Sequence, residues 1–116
     1  NEQAKMIIVK CIVFIAEDKQ GGDIVLKENL RIKQYLFNPI IIIDFNWKDG
    51  VIGKTIDLTW DENKLIAIMK IPEDCLQYFP AIEYAINKEF YELLSISLSK
   101  SPNIDSRIKP IGEQTL

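Results

Sequence analysis

Histidine is absent from this 116-residue chain. That single absence removes Ser-His-Asp and Cys-His catalysis, histidine-containing zinc sites and histidine pH switches from the functions open to it. Cysteine is scarce: Cys11 and Cys75 are the two present, 64 positions apart and without CxxC spacing. A zinc site and a disulfide framework are therefore not indicated, and both thiols are expected to be buried, reduced small hydrophobes. A reducing compartment is the default. No run approaches the ~20 apolar residues a membrane helix needs. Met6 to Ala16 is the longest, and Lys10 in its middle marks it as a strand and not a signal segment. Basic charge is also in short supply, with 14 Lys and Arg against 17 Asp and Glu for a net charge of −3. A general nucleic-acid binder would want the opposite balance. Glycine and proline, five each, are too few for a low-complexity chain.

What the chain does have is apolar content of 47% and 21 isoleucines, a number that moves the expectation toward strands because β-branched side chains fit a pleated surface. One domain fits this length. Met6–Ala16 predicts a central strand, Glu17–Gly22 a turn, and Asp23–Leu26 a short strand. Lys27–Phe37 predicts a short helix closed by Asn38-Pro39. Ile40–Phe45 predicts a second buried strand, and Asp49-Gly50 a hairpin signal. Val51–Trp60 and Leu65–Ile71 alternate around the Asp61-Glu62-Asn63 turn, which makes a meander with the strand before them. Pro72-Glu73-Asp74 reads as the start of a helical region to Asn87, split at Pro80. Phe90–Leu98 returns as a strand, and Arg107–Ile111 as a short last one. The fold class is α+β, mostly β: a small barrel-like antiparallel or mixed sheet core with two short helical regions.

Three constellations invite a chemical reading. The acidic residues Asp57, Asp61, Glu62, Glu73 and Asp74 fall in turns and first helical turns, where carboxylates cap and solvate, and no loop shows calcium-ligand spacing. Trp47, Trp60, Tyr78, Phe79, Phe90 and Tyr91 lack interleaved basic residues, so they read as core and rim packing and not as base-stacking platforms. Ser95, Ser97 and Ser99 alternate on one strand and read as its half-exposed face. A serine nucleophile among them needs a base, and without histidine the choice is a carboxylate or a lysine such as Lys54, Lys70 or Lys88. Lys100 is a strand neighbour and points to the opposite face.

The order of segments from Asp23 to Leu98 resembles the prohead maturation protease family of tailed phages. Gly22-Asp23-Ile24-Val25 with Glu28-Asn29-Leu30 matches the family's opening, and Pro39 with Ile40 to Ile43 its apolar strand. Val51-Ile52-Gly53-Lys54 matches the Ile-Gly-Lys strand, Trp60 to Leu65 the acidic turn, and Leu94-Ser95-Ile96-Ser97-Leu98 the serine strand. The resemblance implies a single domain over residues 1–116 with a fold similar to herpesvirus assemblin. It also implies a role in capsid building, and a serine nucleophile paired with a histidine base. It places Ser95 at the nucleophile position, Ser97 at the family's following glycine, and Phe45 at the histidine position with Asp44 beside it. Phenylalanine accepts no proton, and removing the base of a triad leaves only residual catalysis. A second alignment sets Ser97 to Pro102 against a later, non-catalytic family segment, Val-Ser-Leu-Val-x-x-Pro-Ala, and then the nucleophile motif is missing too.

The expectation is thus a catalytically inactive prohead-protease-like domain that serves capsid assembly or the virion. Its partners would be capsid or scaffold proteins and further copies of itself, not nucleic acid or membrane, in the host cytoplasm and then the capsid. No catalytic residue, cofactor or metal is expected. The alternatives are an active serine protease in which Ser95 is assisted by Asp44 or a lysine, and an unrelated β-rich interaction module.

Overall fold

A computed structural model of the chain describes residues 5–16, 27–32, 40–44, 48 and 50–114. It is mostly β, with seven strands in one sheet: β1 (Met6–Ile15), β2 (Leu30–Arg31), β3 (Ile40–Ile43), β4 (Gly53–Asp61), β5 (Lys64–Pro72), β6 (Phe79–Asn87) and β7 (Phe90–Ser99). The spatial order runs β1-β5-β4-β3-β7, with β6 along one side of β7 and the two-residue β2 beside β3 on its other side. The expected meander is present, since β3, β4 and β5 are successive antiparallel neighbours. β3 and β2 run parallel to β7, so the sheet is mixed.

The sheet curls around one core but does not close. β1 approaches β6 without a ladder between them. Alternation along the strands selects the residues that fill the interior. Val9 and Cys11 of β1 stand opposite Met69 and Ala67 of β5, and Val13, Leu65, Ile41 of β3, and Ile96 and Leu98 of β7 complete the layer. Two hairpins carry most of the register. Glu62 (φ 57°) and Lys88 (φ 59°) take the left-handed position in the two-residue turns that join β4 to β5 and β6 to β7.

Three expected elements take other forms. The helical region predicted after Pro72 shrinks to a 3-10 turn at Glu73–Cys75, and the chain from Phe79 to Asn87 is strand β6. The physical reason is visible in Ile82, Tyr84 and Ile86, whose period of two is satisfied along β7. Pro80 fits because β6 pairs with β7 alone, and an edge strand tolerates a missing N–H. The predicted last strand at Arg107–Ile111 is instead a turn followed by a 3-10 turn at Ile111–Glu113. Of the first helical region, the described part is a 3-10 turn at Lys27–Asn29 followed by β2. Its remainder, like the predicted elements at Glu17–Gly22 and Asp23–Leu26, lies outside the described residues.

The segment after β7 packs across the gap between β1 and β6. Ile108, Pro110 and Ile111 are buried, Ile111 N–H donates to the Tyr78 carbonyl at 3.0 Å, and Gly112 N–H to that of Leu76 at 2.7 Å. Gln114 then uses its side-chain amide as a surrogate peptide group. Ile12 N–H donates to Gln114 Oε1 at 2.6 Å, and Gln114 Nε2 donates to the carbonyls of Ile12 (3.1 Å) and Lys109 (2.9 Å). Replacing Gln114 by Ala leaves both backbone groups of Ile12 without these partners. It is expected to cost about 1–3 kcal/mol in urea denaturation, with Gln114→Glu losing stability as well because a carboxylate cannot donate to Ile12. At the start of β4, a Cβ on Gly53 would overlap the carbonyl oxygen of Lys70. Gly53→Ala is therefore expected to lower stability by roughly 1–3 kcal/mol in the same measurement.

Candidate functional site

The serine strand is where the sequence places chemistry, and its geometry starts with a bulge. Glu83 stands opposite Ser95 while Tyr84 stands opposite Leu93, so Leu94 is an extra residue on β7. A bulge resets the alternation of side chains. Leu93, Ile96 and Leu98 consequently point into the core, and Ser95 and Ser97 lie on the other face. Alternation alone predicts that face to be half-exposed. It is not: both serines are completely buried, and of the three only Ser99 is partly exposed, its Oγ accepting the N–H of Ser101 at 3.0 Å.

Ser95 Oγ donates to Glu83 Oε1 across the β6–β7 ladder at 3.1 Å. The sequence does not reveal this carboxylate, because its local signals make β6 a helix and no cross-strand partner of Ser95 is defined until Phe79–Asn87 is a strand. The pair has the outline of a nucleophile and a base, yet it is poorly suited to the task. A fully buried Oγ cannot meet an acyl carbon. The contact instead satisfies a buried hydroxyl, which would cost roughly 1–3 kcal/mol if left alone.

Asp44 is not brought to Ser95. β3 runs parallel to β7 with Ile40 opposite Ser95 and Ile43 opposite Leu98, so Asp44 lies beyond the far end of that pairing. Its backbone N–H donates to the Leu98 carbonyl at 3.0 Å, and its Oδ1 accepts the Lys100 N–H at 3.3 Å. Three residues of strand separate Leu98 from Ser95, about 10 Å of rise. Asp44, at φ 53°, thus closes a strand end. Phe45, and Trp47 with it, lies outside the described residues.

The remaining constellations resolve into local roles. The acidic residues are spread over separate elements: Asp61 and Glu62 at the β4–β5 hairpin, and Glu73 3.8 Å from Lys5. Asp74 accepts the Cys75 thiol at 3.8 Å. Trp60, Tyr78 and Tyr91 pack against the core. Lys27 lies 5.3 Å from the Trp60 ring centre, Arg31 stands 3.5 Å over Phe90, and Tyr84 meets Tyr91 edge to face at 5.1 Å. Asp105 accepts Arg107 through both carboxylate oxygens, which holds its carboxyl below the usual range.

Both cysteines are buried free thiols, as expected. Burial pushes Cys11 up to about 12, and burial together with the neighbouring Asp74 carboxylate pushes Cys75 up to about 11. Neither has the depressed pKa of a nucleophilic or metal-binding thiolate. Comparison with family models, curated proteins and solved structures returns no match for the chain.

The thiols generate a pH dependence. The folded chain keeps its protons where the unfolded chain, titrating near 9.0, has released them. The associated stability is complete below that pH and is lost as pH rises through about 11 and 12. Urea midpoints are expected to fall more steeply between those limits for the wild type than for Cys11→Ala. Equal slopes would contradict it.

Proposed function

We propose that this chain is a non-catalytic β-domain that works by binding other proteins, in the capsid-assembly role that the prohead-protease resemblance implies. The observation that carries the first half is the state of Ser95. The residue at the nucleophile position is sealed from solvent, its hydroxyl is committed to Glu83, and Asp44 belongs to a strand end about 10 Å along the sheet. A working acyl-transfer site needs an accessible oxygen, a base of matched pKa, and donors for the developing oxyanion. Ser95 lacks the first.

The second half is supported by the segment order on which the resemblance rests and by a mostly β, partly curled sheet of the kind that resemblance implies. Among the described residues no helix is long and apolar enough to cross a membrane. The surfaces left to such a domain are its outer strand faces and loops, on which Ile8, Ile86 and Ile104 are exposed.

Prolonged incubation with a fluorophosphonate probe, read by intact mass at high protein concentration, is expected to give no adduct. A single adduct that maps to Ser95 and disappears in Ser95→Ala would overturn the non-catalytic reading and restore the protease. Co-sedimentation with a phage major capsid protein tests the assembly role, which falls if the chain stays in the supernatant.

A further inference from the structure

The outer face of the β1-β5-β4 block carries a charge arrangement that works against the fold. Thr55 and Met69 point inward, so Lys54 and Lys70, which stand directly opposite each other across the β4–β5 ladder, both point outward. On the other side of β5, Ile8 is opposite Lys70, and Lys10 is opposite Ile68, one diagonal from Lys70. All three lysines are exposed, and none makes an ion pair among the described residues. Like charges set directly opposite on a sheet destabilise it. Asp57, opposite Ile68, is the one carboxylate among these rows, three lysines against one aspartate in a chain whose net charge is −3.

Apolar residues share this face. Ile8 is 65% exposed, Met6 39% and Ile56 36%, the last turned outward by a bulge that sets Ile56 and Asp57 against Ile68. Exposed Ile and Met interleaved with unpaired lysines are a poor match for a phosphate backbone, which presents no apolar groups to them. They match a polypeptide whose carboxylates and aliphatic side chains alternate.

We infer that the outer face of β1, β5 and β4 docks an acidic segment of a partner protein, its carboxylates meeting Lys10, Lys54 and Lys70 and its aliphatic side chains meeting Ile8 and Met6. The inference rests on the protein-binding reading above and names the chemistry of the partner. It accounts for the opposed Lys54–Lys70 pair, whose repulsion is relieved when a carboxylate lies between them.

Fluorescence anisotropy with a short fluorescein-labelled peptide of alternating Glu and Leu, at low salt, tests it. Binding is expected, with affinity falling as salt screens the contacts. Lys54→Glu is expected to weaken binding about tenfold. Its thermal midpoint should hold or rise, since it replaces a repulsive pair with an attractive one. Ile8→Ser should also weaken binding, and Lys10→Gln provides a second charge variant should Lys54→Glu fail to fold. Absence of binding would overturn the inference, as would equal binding of the matching Gln-Leu peptide. Tighter binding of single-stranded DNA or of phosphatidylserine vesicles would assign the face to a different occupant and overturn it too. A Ser95 adduct would sink the non-catalytic reading while leaving these peptide results to stand or fall separately.

Discussion

The structure depends on how an unclosed sheet is sealed. β1 and β6 approach each other but form no ladder, so the barrel-like core would open onto solvent along two strand edges. Open edges expose unpaired N–H and C=O groups and invite pairing with other chains. Here the segment after β7 lies in the gap. Its 3-10 turn at Ile111–Glu113 is tied by hydrogen bonds to the loop before β6, and Gln114 reaches β1. A side-chain amide carries a carbonyl acceptor and N–H donors, as a peptide unit carries a carbonyl and one N–H, so it can stand in for a strand residue at a single position. That position is Ile12, where the β1–β5 register slips before Phe14. Gly112 makes the approach possible, since even an added Cβ there would sit 3.2 Å from Leu76.

The sequence makes the strands with unbroken apolar character legible. β1, β3, β4, β5 and β7 lie close to where isoleucine density and turn residues place them, because β3, β4, β5 and β7 are held on both sides or closed by a tight hairpin and β1 pairs along its length with β5. β6 is hidden by its own punctuation. Pro72, Glu73 and Asp74 form a sound helix-start signal, and locally they do begin a turn, but only through Cys75. Beyond that turn the path of the chain is decided by β7, whose whole length is available as a partner for Phe79–Asn87. Tertiary pairing overrides a local signal of that kind. The sealing segment is illegible for a related reason. Nothing in Ile-Gly-Glu-Gln announces a partner on the first strand, 102 positions away.

The candidate site owes its form to the same hidden element. Alternating serines suggest one solvated face, and that expectation assumes an unbroken ladder. The extra residue Leu94 breaks it and moves Leu93 and Ile96, three apart, onto the same core face. Ser95 is then fixed by burial and by a carboxylate that only the strand form of β6 supplies. The pairing of Ser95 with Glu83 is a solution to desolvation, in which a buried hydroxyl is satisfied by its cross-strand neighbour. Its resemblance to a catalytic pair is a matter of residue types, whereas accessibility decides function.

A sheet face optimised for stability alone would not keep two lysines opposed. The interior rows of the β1–β5–β4 block are filled by Cys11, Ala67, Met69 and Leu65 with no exposure. Its exterior rows break the usual rules together: like charges opposite each other, and isoleucine where solvent reaches it. Either feature alone is common on protein surfaces and carries little meaning. Their coincidence on adjacent rows of one rigid face is different, because a rigid sheet fixes the spacing of the groups that a partner would read. Strand pairing sets the Cβ atoms of Lys54 and Lys70 about 5 Å apart, so that one carboxylate can reach both side chains. The cost of that repulsion is borne by the free protein and removed on docking, which makes it a source of specificity for an acidic partner.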